Sequence, residues 1–290
     1  MRGVGHRLSG MVLGGSALGV SGRRFLPHGI PRRQPGAMSV AVAAVGQRAG
    51  AVAADSRVFD LDDPRPKKLD KLLALEDRIV AFAGIYRYEG KDFGSVLFQA
   101  ATASTARRLA DDFLGAAHPE FGRAFAAWRH TAGNASAAEL FFQAMVLWRG
   151  SDGLLLQLLW SDLTDDTDAV SLDSYTLWPI GRRAVCEAIG HCEAIVDATE
   201  GARRTTTDDT NAFNGLSALL GPDDYRRVAE DLVQRSIDAS PIFGESPYVA
   251  FTRPDIAESL HPVPLLGGPV VSATIEYDAP LDKDMGSALV

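Results

Sequence analysis

The chain has 290 residues, of which 46% are hydrophobic and 23% are charged, and its formal net charge is −8. This length and composition suit one large or two small globular domains with a sizeable core. Beyond residue 37, 23 basic residues stand against 37 acidic ones, which argues against nucleic acid as a ligand. No run approaches the roughly 18 apolar residues that a membrane span needs, so no membrane partner is expected.

The two cysteines, Cys186 and Cys192, are six residues apart and have no matching histidine cluster. This pattern favours reduced thiols in a cytoplasmic protein over a disulfide framework or a zinc site. We therefore expect neither a metal ion nor another cofactor.

Residues 1–37 form a distinct upstream segment that contains six arginines and no acidic residue. A twin-arginine export signal would place Arg23-Arg24 before an apolar core, but the apolar stretch 10–20 comes first. A propeptide removed by cleavage is a second interpretation. We favour a third, in which translation begins at Met38, because an initiator methionine is removed when a small residue such as Ser39 follows it.

A buried β-hairpin is predicted at 39–46 and 51–57, because small and β-branched apolar residues are concentrated in both runs and turn residues separate them. Asp55 and Arg57 share a parity, so they project from one face at the end of the second strand. That end lies beside the start of the first strand, which is Ser39.

Two further segments follow, the basic 67–72 (KKLDKL) and the apolar strand 78–84 (RIVAFAG). A strand that opens with Ser or Thr, then A-D-x-R sixteen residues on, then K-K-[VIL]-x-x-[VIL], then a strand ending F-A-G, resembles the catalytic β-type subunits of proteasomes and their bacterial relatives. Those proteins are N-terminal nucleophile hydrolases. The resemblance is clear over 39–85, weaker over 139–181 and about 223–252, and absent at both ends.

The resemblance implies that Ser39 is the nucleophile and that its own α-amino group is the base, which exists only after the preceding residues are removed. It implies that Lys68 lies beside the hydroxyl and lowers its pKa. Asp55 would hold this lysine, because an unpaired buried ammonium group is costly. Arg57 would brace the turn or line the substrate cleft, and the backbone N–H of Gly84 would receive the oxyanion.

Lys68 is chosen among the lysines because Leu69 and Leu72 follow it as in the family pattern, and Lys67 is the next candidate. The thirteen residues from Asp55 to Lys68 are about three fewer than is usual in the family, which leaves the register open. A solvated run of lysines, a surface ion pair and an ordinary first strand residue are the alternatives for these positions.

Phe82 aligns with the residue that forms, in relatives, the floor of the pocket for the side chain before the cut bond. A phenylalanine there would shorten the pocket and favour small apolar side chains. An ordinary core phenylalanine is the alternative.

The rest of the chain predicts further helices and strands from its hydrophobic periodicity and its turn residues. Helices are predicted at 89–115, 119–131, 184–197 and 223–237, and strands at 139–149, 154–160, 174–181, 246–253 and 269–277, with an acidic loop at 162–173 and a polar connector at 200–211.

Two later positions bear on the resemblance. Relatives commonly have a serine after the glycine that ends the strand at 174–181, and this chain has Arg182. Relatives also place an Asp, and three residues later a Ser, after the helix at 223–237, where both support the amine of the nucleophile. Asp238 matches, whereas Ser240 is one place early and Pro241 occupies the expected position. Ordinary helix-end and turn residues are the alternative.

Pattern alone predicts a mixed α+β class. The resemblance implies a four-layer αββα sandwich of two antiparallel sheets flanked by helices, over residues 38–278 with a tail at 279–290. It implies a peptidase that hydrolyses peptides or unfolded proteins within a homo-oligomeric ring, served in relatives by an ATP-driven unfoldase. The alternatives are a catalytically silent ring or scaffold subunit, which Arg182 and Pro241 favour, and a small-molecule amidohydrolase, which the shortened loop and Phe82 permit.

Overall fold

Every strand pair that the structure describes is antiparallel. The computed structural model describes residues 39–58, 67–132, 141–163, 170–179, 184–190, 220–239 and 266–278. All of them belong to one compact unit, Pro35–Val290. In chain order the elements are β1 (Val40–Val45), β2 (Ala49–Ala54), β3 (Arg57–Val58), β4 (Lys67–Lys68), β5 (Leu72–Ala74), β6 (Arg78–Gly84), β7 (Arg87–Tyr88), β8 (Lys91–Asp92), α1 (Phe93–Ala103), α2 (Leu109–Ala117), α3 (Glu120–Ala132), β9 (Phe142–Gly150), β10 (Gly153–Leu163), β11 (Val170–Leu177), β12 (Val185–Gly190), α4 (Pro222–Asp238) and β13 (Val271–Glu276).

Two main sheets contain most of these strands. The first has the order β12-β1-β2-β13 and the second the order β11-β10-β9-β6-β5, while β3 pairs with β4 and β7 with β8. The predicted hairpin is confirmed: β1 and β2 pair antiparallel, with Ala41 opposite Ala54, and the Gly46 N–H donates to the Ala49 carbonyl across the turn. The fold class is mixed α+β, as the sequence predicts.

An apolar cluster lies between the two main sheets. Alternate residues of β1 and β2, such as Ala41 and Val52, meet Ala81 of β6, Met145 of β9 and Leu156 of β10, and all five are buried. Every residue of β1 is buried, because the opposite face of the strand is covered as well. Strands covered on both faces read as continuous apolar runs, which is why alternation is weak in this stretch.

Helices cover the outer faces of both sheets. On the five-stranded sheet, rings of Phe82, Phe93, Phe113, Phe121 and Phe142 pack among α1, α2 and α3. Full burial of each such ring contributes about 1.5–3 kcal/mol relative to leaving it exposed.

On the four-stranded sheet, α4 packs against β1, β2 and β13. Its residues Leu232 and Val233 share a cluster with Val40 and Val42 of β1 and with Leu266. Within the described residues, no helix has the length and apolar character to cross a membrane.

The helix predicted at 89–115 is two helices. Asp92 caps α1 by accepting a hydrogen bond of 2.8 Å from the Ser95 N–H, and the backbone at Ser104 is extended, which ends the helix. The guanidinium of Arg78 donates to the carbonyls of Ala101 and Ser104. A tertiary contact therefore satisfies the free carbonyls at the end of α1, which local periodicity could not indicate.

The helix predicted at 184–197 is wrong where the structure describes it. Val185–Gly190 is the strand β12, which pairs antiparallel with β1 so that Val40 lies opposite Gly190. Six residues are too few for periodicity to separate a strand from a helix, and pairing with β1 decides the outcome. The helix predicted at 223–237 and the strand at 269–277 are confirmed as α4 and β13, whereas 200–211 and 246–253 lie outside the described residues.

Candidate functional site

A buried carboxylate stands at the end of β2, next to the start of β1. Asp55 is fully shielded from solvent, and its Oδ1 accepts hydrogen bonds from the Val40 N–H (3.0 Å) and from Lys71 Nζ (2.8 Å). The Asp55 N–H in turn donates to the Val40 carbonyl at 3.1 Å. Because Val40 directly follows Ser39, this reciprocal contact fixes the position at which Ser39 enters the sheet.

Lys71 is the cation of the site. Its side chain is as fully buried as that of Asp55, and the two form an ion pair of 2.8 Å. Since both donors share one oxygen, Lys71 Nζ lies at most 5.8 Å from the Val40 nitrogen, the sum of the 3.0 and 2.8 Å bonds. Burial lowers the pKa of Lys71 and the Asp55 carboxylate opposes this effect.

The prediction that Asp55 holds Lys68 is therefore wrong. Lys68 is exposed and lies across from Arg57 in the short β3–β4 pair, so its backbone is near the site while its side chain meets solvent. The sequence contained a signal for Lys71, because sixteen residues separate it from Asp55. Lys68 is only thirteen residues from Asp55, about three fewer than is usual in the family that the sequence resembles. The side chain of Lys67 lies outside the described residues.

Arg57 holds a turn that comes from the far end of the chain. Its Nη1 donates to the Leu266 carbonyl at 3.2 Å, and its N–H donates to the Gly267 carbonyl at 3.0 Å. The Gly267 N–H points back at Asp55 Oδ2, 3.4 Å away. Arg57 thus braces a turn, one of its two predicted roles, and this turn (Leu266 to Gly268) completes the polar surroundings of Asp55.

Gly190, the last residue of β12, lies against Ser39 on the side of β1 away from β2. Its φ is +82°, and a Cβ added there would overlap the Ser39 carbonyl and lie 2.9 Å from the Ala83 Cβ. The Gly190 N–H donates to Gln143 Oε1 at 2.6 Å, which ties this end of β12 to β9 of the other sheet. Ser39 itself is only 3% exposed, and it shares the parity of Ala41, whose side chain lies between the sheets.

Gly84 ends β6 at the same end of the two sheets. It is opposite Phe142 in β9 and directly follows Ala83, the neighbour of Gly190. The structure therefore brings Ser39, Asp55 and Gly84 to one region. Phe82 is 1% exposed and packs among the rings on the helix side of its sheet, 5.7 Å from the Phe98 ring between centroids. This placement is that of a core phenylalanine beneath α1.

The strand that ends in a glycine beside Ser39 is β12, so the strand predicted at 174–181 does not have that position. Gly181 and Arg182 lie outside the described residues, as does His191, which follows Gly190 in the sequence.

Asp238, one of the two candidates at the end of α4, is not joined to the buried pair. Asp238 is exposed and accepts a hydrogen bond of 2.8 Å from Gln234 Nε2, one turn earlier. Its neighbour Ile237 packs against the cluster that contains Val40, so this helix end lies on the β1 side of the sheet. Ser240 lies outside the described residues. Sequence reasoning missed Lys71, Gly190, Gln143 and Gly267, of which only Lys71 had a signal in the spacing.

In comparisons with known proteins, neither a family model nor a curated protein matches this chain. Within the described part of the chain, no group of three or more His, Cys, Asp or Glu side chains is placed to hold a metal ion. Cys186 is a free thiol in β12, and burial raises its pKa. The chemical character of the site therefore rests on a hydroxyl, a buried ion pair and backbone N–H groups.

Proposed function

We propose that this protein is a proteasome-like N-terminal nucleophile peptidase with the four-layer αββα sandwich, and that Ser39 is its nucleophile. The observation that carries the proposal is the buried Asp55–Lys71 pair, anchored to the backbone of the residue that follows Ser39. A buried ion pair is a poor way to stabilise a fold, because desolvation offsets much of its attraction. Its position against the backbone N–H of Val40, the residue after Ser39, is better explained by chemistry.

In the proposed reaction, the Ser39 Oγ attacks the carbonyl carbon of a peptide bond. Its proton passes to the Ser39 α-amine, which then protonates the departing amine as the C–N bond breaks. The resulting ester is hydrolysed by water, activated by the same amine. The positive charge of Lys71 favours the deprotonated forms of hydroxyl and amine, and Asp55 keeps that charge in place. The Gly84 N–H stabilises the oxyanion.

The α-amine is absent in the full chain, where Met38 precedes Ser39 and the Ser39 nitrogen is an amide. Activity therefore depends on removal of the residues before Ser39. By the same resemblance, we propose peptides or unfolded proteins as substrates, a homo-oligomeric ring as the working form and an ATP-driven unfoldase as a partner.

A second candidate is a catalytically silent ring or scaffold subunit of the same fold. The exposed position of Asp238, paired with Gln234 rather than with the start of β1, favours it. In this alternative the buried pair only fixes the start of β1, and Ser39 retains its upstream residues.

The test begins with the intact mass and N-terminal sequence of the protein from its native host. We expect a chain that begins at Ser39, which assembles into a ring and cleaves fluorogenic peptides. Ser39→Ala should abolish cleavage and leave the assembled mass unchanged, since the hydroxyl contributes little packing. A protein that retains Met38, or one that begins at Ser39 and assembles yet cleaves no peptide, would support the scaffold alternative.

A further inference from the structure

A second polar feature lies at the edge strands β11 and β12 of the two sheets. β11 is the last strand of the five-stranded sheet, and β12 is the last strand of the four-stranded one. Val185 and Ile189 of β12 pack in the cluster between the sheets, and Glu187 has the same parity. The carboxyl group of Glu187 therefore points toward the second sheet and away from α4.

Two aromatic side chains lie on the face of the second sheet that is turned toward the first sheet. Tyr175 of β11 lies opposite Leu158, a member of the cluster between the sheets. Its ring meets the Trp160 ring edge to face, with centroids 5.4 Å apart. Tyr175 is 42% exposed, so this margin is open to solvent on the β11 side. We call the margin formed by Trp160, Tyr175 and Glu187 the edge cleft.

The electrostatics of the edge cleft are those of a cation site. No described residue forms an ion pair or a hydrogen bond with Glu187, and burial raises its pKa to about 7. Burial raises the pKa of Tyr175, and the Glu187 carboxylate raises it further. Asp173 lies opposite Trp160 in β11 and has a partner of its own, so the charge of the site is that of Glu187. A cation would therefore find a carboxylate and two aromatic faces.

The edge cleft is near the proposed nucleophile. Glu187 is three residues from Gly190, or about 10 Å along the strand, and Gly190 contacts the Ser39 carbonyl. On the second sheet, Trp160 lies opposite Gln143, whose side chain accepts the Gly190 N–H. An extended peptide advances about 3.3 Å per residue, so a residue about three positions from the bond held at Ser39 would reach this cleft.

We propose that the edge cleft binds the cationic side chain of an arginine or lysine in a peptide. The Glu187 carboxylate supplies the opposite charge, and the rings of Trp160 and Tyr175 supply cation–π contacts. As a statement about substrates this inference rests on the proposed peptidase function. The binding itself requires no turnover and can be measured alone.

The test uses the Ser39→Ala protein and fluorescent alanine-rich octapeptides that contain a single arginine or, as a neutral isostere, citrulline. We expect the arginine peptide to bind about tenfold more tightly than the citrulline peptide at pH 8. Glu187→Gln should abolish that difference, and Trp160→Leu should reduce it. Glu276→Gln, which neutralises an exposed carboxylate on β13 at the other edge of the same sheet, is the matched control and should have no effect.

Binding should also depend on pH, because protonation of Glu187 below about pH 7 removes its charge. Among the residues that the structure describes, the other titratable groups are Tyr175 and Asp173 on β11, which face the cleft, and Cys186 on β12 itself, whose parity places it on the α4 face. β1 contributes Ala43 opposite Glu187 and adds no charge.

Equal affinity for the two peptides, or an arginine preference that survives Glu187→Gln in a protein with a native unfolding transition, would overturn the proposal. If the Ser39→Ala protein binds the arginine peptide selectively but the protein with Ser39 cleaves no peptide, the proposed cation site is supported and the proposed peptidase function is contradicted. If the protein cleaves peptides but does not prefer arginine, the peptidase function is supported and the cation site is contradicted.

Discussion

Asp55 and Lys71 form an ion pair of 2.8 Å in which neither side chain is exposed to solvent. One oxygen of Asp55 is shared between the ammonium group and the Val40 N–H. The pair therefore links the end of β2, the residue before β5 and the start of β1, and it joins the two main sheets at the end where Ser39 lies.

Replacing Lys71 should damage the protein far more than replacing Lys68. Lys71→Met leaves the Asp55 carboxylate buried without its cation, which we expect to lower the free energy of unfolding by about 3–5 kcal/mol. Lys68→Met changes an exposed side chain and should cost less than about 0.5 kcal/mol. Urea unfolding at pH 7 measures both. Equal effects of the two substitutions would contradict the assignment of Lys71 as the buried cation.

Gly190→Ala should be more harmful than a glycine replacement of the same backbone conformation elsewhere. Gly90 has φ +80°, almost the value of Gly190, and an added Cβ there meets nothing within 4 Å. Gly90→Ala therefore measures the backbone strain alone, about 1–2 kcal/mol. At Gly190 the Cβ also overlaps the Ser39 carbonyl, so we expect a larger loss of stability and, if Ser39 is the nucleophile, loss of peptide cleavage.

Urea unfolding of the two variants, with cleavage assays on the processed forms, provides the comparison. If both variants lose the same stability and Gly190→Ala keeps full activity, the close approach of β12 to Ser39 does not matter for function.

Glu187 should make the protein less stable as the pH rises. Its folded pKa of about 7 exceeds the ordinary value of 4.5, so between these values the folded state holds a proton that the unfolded state has released. Its stabilising contribution is complete below about pH 4.5 and is lost as the pH rises through 7. The total loss is on the order of 3 kcal/mol, because each pH unit between the two pKa values contributes about 1.4 kcal/mol.

Glu187→Gln should flatten this slope. Thermal unfolding in low salt, at half-unit steps from pH 5 to 8, compares the variant with the parent protein. A parent slope that survives the substitution would assign the titration to another group.

Arg57 and Gly267 should show energetic coupling. A Cβ at Gly267 would lie 2.7 Å from the Arg57 Cζ, so Gly267→Ala displaces the guanidinium from the Leu266 carbonyl. In an Arg57→Ala background this conflict is absent, and Gly267→Ala should cost about 1 kcal/mol less than in the parent. A double-mutant cycle from urea unfolding measures the difference, and strict additivity would show that the turn does not depend on Arg57.

Much of the structure around Ser39 and Asp55 could be predicted, because it is determined by residues close together in the sequence. The β1–β2 hairpin follows from two apolar runs around a turn, and the positions of Asp55 and Arg57 follow from the end of β2. The choice between Lys68 and Lys71 could not be made from flanking leucines, since both lysines belong to one basic run. The choice between the two lysines depends on which side chain the fold buries beside Asp55. The sixteen-residue interval from Asp55 to Lys71 indicated this better than the flanking leucines did.

The remaining errors have tertiary causes. β12 contains Glu187 between apolar residues and is only six residues long, so its sequence alone does not distinguish a strand from a helical turn. Pairing with β1 makes it a strand. The break between α1 and α2 depends on Arg78, which precedes Ser104 by 26 residues. Gln143 and Gly267 belong to no recognisable motif. Gln143 acts through its amide oxygen and Gly267 through its backbone N–H, and only the fold brings these groups to the site.

The contact between Asp55 and Gly267 has a consequence for the order of events during synthesis. The two residues are 212 positions apart. While the ribosome is still making the chain, β1, β2 and Lys71 have long emerged, but the turn that donates to Asp55 Oδ2 and receives Arg57 has not. The surroundings of Ser39 are therefore incomplete until the turn from Leu266 to Gly268 has been made. If Ser39 is the nucleophile, a nascent chain carries it without its complete surroundings, which would protect the chain and its neighbours from premature cleavage.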